Sequence, residues 1–159
     1  MRKSMLLGAV SALVLNAGAA NAVSPTDSVD IPLSGTLPKS CDISAFVNGP
    51  FDDLDMESTE IQGAESVTVN CNYGGTASVE LASANSGFLE DADSNQVGYN
   101  VQISGGLLAL TQLTTPQTIN NWPAVAFADQ TRSISVQLLA AATIPGTYTD
   151  TITASVTPN

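Results

Sequence analysis

Residues 27–41 read DSVDIPLSGTLPKSC and alternate between apolar and polar side chains. Every second residue is apolar or glycine: Val29, Ile31, Leu33, Gly35 and Leu37. The residues between them are Asp30, Pro32, Ser34 and Thr36. An alternation of period two is typical of a β-strand that buries one face. Because prolines interrupt and end this segment, the sequence leaves open which core buries the apolar row.

The first 22 residues have the composition of a secretory signal peptide. Arg2 and Lys3 precede a short apolar run at 5–15, and Ala20 and Ala22 are small residues of the kind that signal peptidase recognises. The run is too short for a spanning helix, and no later segment is long enough for direct membrane insertion. We therefore predict cleavage after Ala22 and an exported, soluble domain.

The remaining chain is strongly acidic. Lys39 and Arg132 are its only basic residues, against fifteen Asp and Glu, and the whole sequence has a formal charge of −11. A domain with this charge repels phosphate backbones and anionic lipid headgroups. The composition therefore argues against binding to nucleic acid or to a membrane surface.

The sequence contains two cysteines, Cys41 and Cys71. In an exported protein an even number of cysteines predicts a disulfide, which should stabilise the fold by roughly 3.5 kcal/mol for a loop of this length. Two separate buried thiols are the alternative. We predict no metal and no other cofactor, since no histidine is present to complete a metal site.

Short alternating runs separated by Gly, Pro, Asn and Asp predict an all-β sandwich of seven or eight strands. Four of these runs have an apolar row that we expect to face the core: Val67, Val69, Cys71 and Tyr73; Ala77, Val79 and Leu81; Val97, Tyr99, Val101 and Ile103; and Ile134, Val136 and Leu138. A further short strand is possible at CDISAFV, residues 41–47. Residues 51–60, 84–95 and 114–121 are interpreted as loops or turns.

Enzymatic chemistry finds little support in the sequence. Histidine, the commonest general base, is absent, and no Gly-x-Ser-x-Gly motif occurs. Asp52 and Asp53 could form a carboxylate pair, but their polar surroundings indicate a solvated loop. We predict no catalytic residues.

Two binding functions are weak alternatives. Asp91, Asp93 and Asn95 match the beginning of a calcium loop, but Gln96 and Gln102 stand where an EF-hand requires glycine and glutamate. Trp122 with Tyr73, Tyr99 and Tyr148 could form a sugar-binding platform. Aromatic residues make up only 5% of the chain, however, so core positions are the more ordinary interpretation.

The last run, GTYTDTITASVTPN at 146–159, predicts a well-formed terminal strand. One face carries Tyr148, Ile152, Ala154 and Val156, and the other carries mostly hydroxyl groups. Asp150 interrupts the apolar row, which indicates that it lies near the exposed beginning of the strand.

The two ends of the sequence resemble the pilus subunits of the chaperone–usher pathway of Gram-negative bacteria. VDIPLSGTLPKSCDI resembles the N-terminal extension of these pilins, and VTVNC is similar to their second cysteine segment. Through Gly146, Tyr148 and Asp150 the terminal run resembles archaic-pathway subunits and their spore-coat-protein-U relatives. Pro158 departs from type 1-like pilins, which have tyrosine at the penultimate position.

The resemblance implies an incomplete immunoglobulin-like sandwich that lacks its final strand and is completed by donor-strand exchange. Residues 1–22 would then be the signal peptide, 23–40 the donor extension and 41–159 the pilin domain. Val29, Ile31, Leu33 and Leu37 would enter the core of a neighbouring subunit, with Gly35 where its groove is shallow. Tyr148, Ile152, Ala154 and Val156 would line that groove.

The implied partners are identical or related pilins, a periplasmic chaperone and an outer-membrane usher. The implied location is the periplasm during assembly and an extracellular fimbrium afterwards. Two alternatives remain at this point. The first strand could complete its own sandwich, or the protein could be a monomeric secreted coat or carbohydrate-binding protein.

Overall fold

The computed structural model describes residues 27–46 and 51–159. The chain divides into two units, residues 1–35 and 36–159. Of the first unit, residues 27–35 are described; they form no regular secondary structure and their side chains are exposed. The predicted signal peptide lies outside the described residues. Within the described part of the chain, no helix has the length and apolarity needed to span a bilayer.

The second unit is all-β, with nine strands among its described residues. They are β1 (Cys41–Ala45), β2 (Ile61–Cys71), β3 (Gly75–Ser83), β4 (Phe88–Glu90), β5 (Gln96–Ile103), β6 (Leu108–Gln112), β7 (Gln117–Ala124), β8 (Gln130–Leu138) and β9 (Ile152–Pro158). All the ladders between them are antiparallel.

The strands form two sheets. The larger sheet has the order β1-β2-β8-β5-β4, with β6 also paired to β5, and the smaller has the order β7-β3-β9. Side chains from both sheets build one apolar core, as in a β-sandwich. The predicted all-β sandwich is thus confirmed, but the described chain has nine strands where we predicted seven or eight.

The predicted inward rows form most of this core. The apolar residues predicted to face inward on β2, β3, β5 and β8 are buried, apart from Tyr73 beyond the end of β2, which is partly buried. Cys41, the first residue of β1, and Cys71, the last of β2, form the predicted disulfide. The disulfide therefore joins an edge strand to its only described ladder partner at one end of the sandwich.

Two segments that we interpreted as loops contain strands. Residues 84–95 include β4, and residues 114–121 include the first five residues of β7. In β7, Ile119 and Trp122 are both buried although two residues separate them, because the ladder with β3 shifts register between Ala77 and Val79. This bulge breaks the alternation on which recognition of the strand depended.

Candidate functional site

The edges of the two sheets meet along one side of the sandwich. Among the described strands, β1 pairs only with β2, and β9 pairs only with β3. β1 and β9 lie close to each other across the core, but no described ladder joins them. The sandwich therefore presents two neighbouring strand edges whose outer backbone groups have no sheet partner in the described chain.

An apolar cleft of about 250 Å³ lies between the sheets at this side. Its apolar lining includes Val67, Leu81, Leu89, Ile134, Ile152 and Ala154. The end of β1 contributes Ala45, followed by Phe46, whose side chain is largely exposed. The cleft thus gives access from solvent to side chains of both sheets.

The cleft lies at the end of the sandwich away from the disulfide. β9 begins opposite Ser83 at Ile152 and ends opposite Ala77 at Pro158. The cleft is lined by the first half of β9, and on β2 by Glu65 and Val67 rather than by the residues near Cys71. The apolar interior is therefore least covered where β9 begins.

Asp150 organises a polar network at this end of the cleft. The hydroxyls of Tyr99 and Ser83 each donate to Asp150 Oδ2 over 2.6 Å. The main-chain N–H groups of Asn85 and Thr151 donate to Oδ1 over 3.0 and 2.7 Å. Several donors therefore bind the Asp150 carboxylate. Asp150 itself lies just before β9, which begins at Ile152, whereas we expected it near the beginning of that strand.

Tyr99 is buried beneath this network. Burial, and next the hydrogen bond to Asp150, raise the pKa of the Tyr99 hydroxyl above its ordinary value. The neutral hydroxyl can donate to the carboxylate, whereas a phenolate could not. Tyr99 and Asp150 thus form a fixed polar contact beside the apolar lining of the cleft.

The predicted groove residues separate in the structure. Ile152 and Ala154 line the cleft, whereas Tyr148 and Val156 do not. Val156 packs partly buried against the core opposite Val79, and the Tyr148 hydroxyl donates to the carbonyl of Ile144 over 2.8 Å. Tyr148 lies in another depression, which Phe88 and Leu139 also line.

The predicted donor row is exposed. Val29, Ile31, Leu33 and Leu37 are 82%, 76%, 92% and 79% exposed, respectively. Leu37 belongs to the larger unit, in which Asn72 holds the following residues: its side-chain amide donates to the Pro38 carbonyl and accepts from the Ser40 N–H, each over 2.9 Å. These hydrogen bonds therefore hold residues 38–40 in place beside the disulfide.

The residues considered for the alternative binding functions have structural contacts. Trp122 is fully buried, and its indole N–H donates to the Gln130 carbonyl over 3.2 Å, so it forms no exposed sugar platform. The Asp91 carboxylate accepts hydrogen bonds from Asn95 and from the Asp93 N–H, and the Asn95 bond is the main cause that lowers its pKa. These contacts build the turn between β4 and β5.

Of the polar residues of the cleft, Glu65 was not identified from the sequence, and Asp150 was identified without its hydrogen-bond partners. Glu65 is in phase with the inward row Val67, Val69 and Cys71, so extending that alternation by one step would have placed it in the interior. Asp150 is in phase with Ile152 and Ala154, but its donors come from elsewhere in the chain. The strand alternation could reveal the facing of Asp150, but not its partners.

No family model matches the sequence, and no curated protein matches it significantly. Among solved structures, the chain is similar to one from a chaperone–tip adhesion subunit pre-assembly complex of the archaic chaperone–usher Csu pili of Acinetobacter baumannii. The similarity has 17% sequence identity and a TM-score of 0.46, and it covers 76% of this chain and 40% of that chain. The chain thus spans less than half the length of that protein, and we assign no family from this similarity.

Proposed function

We propose that this protein is a structural pilus subunit that polymerises when its N-terminal strand enters the cleft of a neighbouring subunit. In this proposal residues 1–22 are removed on export, residues 23–40 are the donor extension and residues 41–159 form the pilin domain. Assembly passes through the periplasm with a chaperone and an usher and yields an extracellular fimbrium. The role requires no catalytic step.

The observation that carries the proposal is the apolar cleft between β1 and β9. Each of these strands uses only one edge in the described ladders, so an added strand could pair with the free edge of β9. An unfilled cleft beside a free edge is a site for uncontrolled association. A dedicated chaperone would protect it until the next subunit arrives.

The exposed row at the start of the chain has the chemistry to fill such a cleft. Burying Val29, Ile31, Leu33 and Leu37 would contribute about 1.5–3 kcal/mol each, or about 6–12 kcal/mol together. This gain is comparable to the stability of an ordinary domain. Pro32 would donate no ladder hydrogen bond, which costs one bond in a strand of this length.

An adjacent pair of substitutions tests the role of the row in the full chain. Leu33→Asp places a charge on the apolar row, whereas the matched control Ser34→Asp places the same charge on the opposite face. Because burying an unpaired charge is costly, we expect Leu33→Asp to abolish polymers and Ser34→Asp to preserve them. Polymers are measured as bands that resist denaturant on an unheated gel and collapse to monomer on boiling.

Two outcomes would contradict the proposal. Equal effects of the two substitutions would show that the apolar row is not the part that is buried. A single monomer band from the unaltered chain would favour a sandwich that completes itself. As a further arm, a chain without residues 23–37 should still bind the chaperone but should not polymerise.

A further inference from the structure

Glu65 is the only charged side chain among the described residues that is almost completely buried, with 6% of its surface exposed. It lines the cleft from β2, in the same row as Val67. None of the hydrogen bonds between described residues involves its carboxylate. Covering such a group with hydrocarbon carries a large desolvation cost. Whatever fills the cleft must therefore leave room for this carboxylate or bind it.

The other two carboxylates of the cleft, those of Asp150 and Asp52, do not need a polar partner from the strand that fills it. Asp150 already accepts bonds from the hydroxyls of Tyr99 and Ser83 as well as from main-chain N–H groups. Asp52 is exposed to solvent. Glu65 is thus the group whose needs restrict how an incoming strand can lie.

Gly35 is the one position of the apolar row that carries no hydrocarbon side chain. A Cβ added at Gly35 would meet no described atom within 4 Å, and its φ does not lie in the left-handed region. The described part of its own chain therefore gives no steric or conformational reason for a glycine at this position. The reason can instead lie in the partner, since glycine allows a backbone to approach another group closely.

We propose that Gly35 of the incoming strand lies against Glu65 of the subunit that receives it, an inference that rests on the proposed function. The Glu65 side chain fills the space that a side chain at position 35 would need. Its carboxylate accepts a hydrogen bond from the main chain of the incoming strand. This contact provides the polar partner that the described residues do not supply.

The same contact fixes the direction of the incoming strand. Glu65 lies at the end of the sandwich where β9 begins, since both Glu65 and Ile152 line the cleft. From there a strand antiparallel to β9 carries the row from Leu33 back to Val29 along β9 towards Val156. A parallel strand would carry the same residues away from β9. The seven residues from Val29 to Gly35 span roughly 20 Å as a strand, which matches the seven residues of β9.

A rescue experiment in the full chain tests this contact. Gly35→Leu should reduce the yield of boiling-sensitive polymers about tenfold, a coupling within the range measured for residues in contact. Adding Glu65→Ala should restore most of that loss, because it removes both the bulk and the charge that oppose the new leucine. The matched control is Glu80→Ala, which removes the same charge from an exposed position on β3 and should restore nothing.

Cross-linking gives a second measurement that does not depend on yield. A chain with Gly35→Cys and Glu65→Cys should form covalent polymers that survive boiling without reductant. A chain with Ile31→Cys and Glu65→Cys should form no such covalent link, so its polymers should revert to monomers on boiling. Circular dichroism and thermal melting establish that each variant is folded.

The outcomes separate this inference from the proposed function. Polymers of the unaltered chain with no rescue by Glu65→Ala, equal rescue by Glu80→Ala, or cross-linking through position 31 would overturn the register and leave strand exchange intact. An unaltered chain that never polymerises would overturn both. Rescue by Glu65→Ala alone together with cross-linking through position 35 would establish the contact.

Discussion

Asp150 shows how one residue links the two sheets beside the cleft, because it binds Ser83 of β3 and Tyr99 of β5. Its carboxylate accepts from the Tyr99 and Ser83 hydroxyls, and the Gly87 N–H donates to Ser83 Oγ over 2.7 Å. Asp150→Ala removes the shared acceptor and leaves the buried hydroxyl of Tyr99 without it. We expect the free energy of unfolding in urea to fall by about 1–3 kcal/mol.

Asp93→Ala is the matched control for this prediction. It makes the same substitution at an exposed carboxylate in the turn between β4 and β5, and it should change stability by less than about 0.5 kcal/mol. If both variants unfold at the same urea concentration, the network around Asp150 contributes no net stability. A measurable loss in Tyr99→Phe would identify the phenol as one of its contributors.

The residues of the last strand also show how far strand alternation alone could predict the lining of the cleft. Ile152 and Ala154 line it because they lie in β9, where successive side chains point to opposite faces. Tyr148 has the same parity but precedes the strand, so the alternation no longer governs its direction. Its hydroxyl binds the carbonyl of Ile144 instead.

Among the elements, regular strands were predictable and irregular ones were not. The rows of β2, β3, β5 and β8 keep their alternation and are buried as expected. β7 contains a bulge, and the three residues of β4 are too few for a pattern to emerge. A short or bulged strand depends on its ladder partner, which a local pattern does not contain.

The disulfide should matter most to β1. This strand has five residues, mostly exposed side chains, and only β2 as a described ladder partner. Replacing both cysteines, Cys41→Ser with Cys71→Ser, should lower the free energy of unfolding by about 3.5 kcal/mol for a separation of 30 residues. Hydrogen exchange should increase first at the amides of β1, because the edge strand can then detach locally.

Reduction provides the control for this prediction. Adding reductant should destabilise the unaltered chain to the level of the double variant and should leave the double variant unchanged. If the double variant keeps the stability of the oxidised chain, the ladder and packing of β1 suffice without the covalent bond.

In the whole molecule, the sequence pattern predicts the sandwich. The cleft is the part of the apolar interior that the strands leave uncovered. The alternating runs predict two packed sheets, and the structure has them. Their edges at β1 and β9 leave apolar interior accessible at the end that Glu65 and Asp150 border. Strand patterns could not predict that this end of the sandwich is open, since its shape depends on contacts between residues far apart in the chain.

The charge of the whole molecule gives a last prediction. Residues 23–159, the part that assembles in our proposal, have fifteen acidic and two basic residues, so two copies repel each other at long range, whereas burial of an apolar strand acts only at contact. We expect polymerisation to accelerate about tenfold as NaCl rises from about 0.01 to 0.15 M, since the Debye length falls from about 30 to about 8 Å. The rate is measured as the increase over time in the polymer bands on unheated gels, and in the control sucrose of equal osmolarity replaces the NaCl.

A double variant tests the electrostatic cause. Asp42→Asn with Glu80→Gln, which neutralises two exposed acids, should weaken the salt dependence of the rate. A rate that falls as salt rises would mean that attraction between opposite charges, rather than burial of the apolar row, drives assembly.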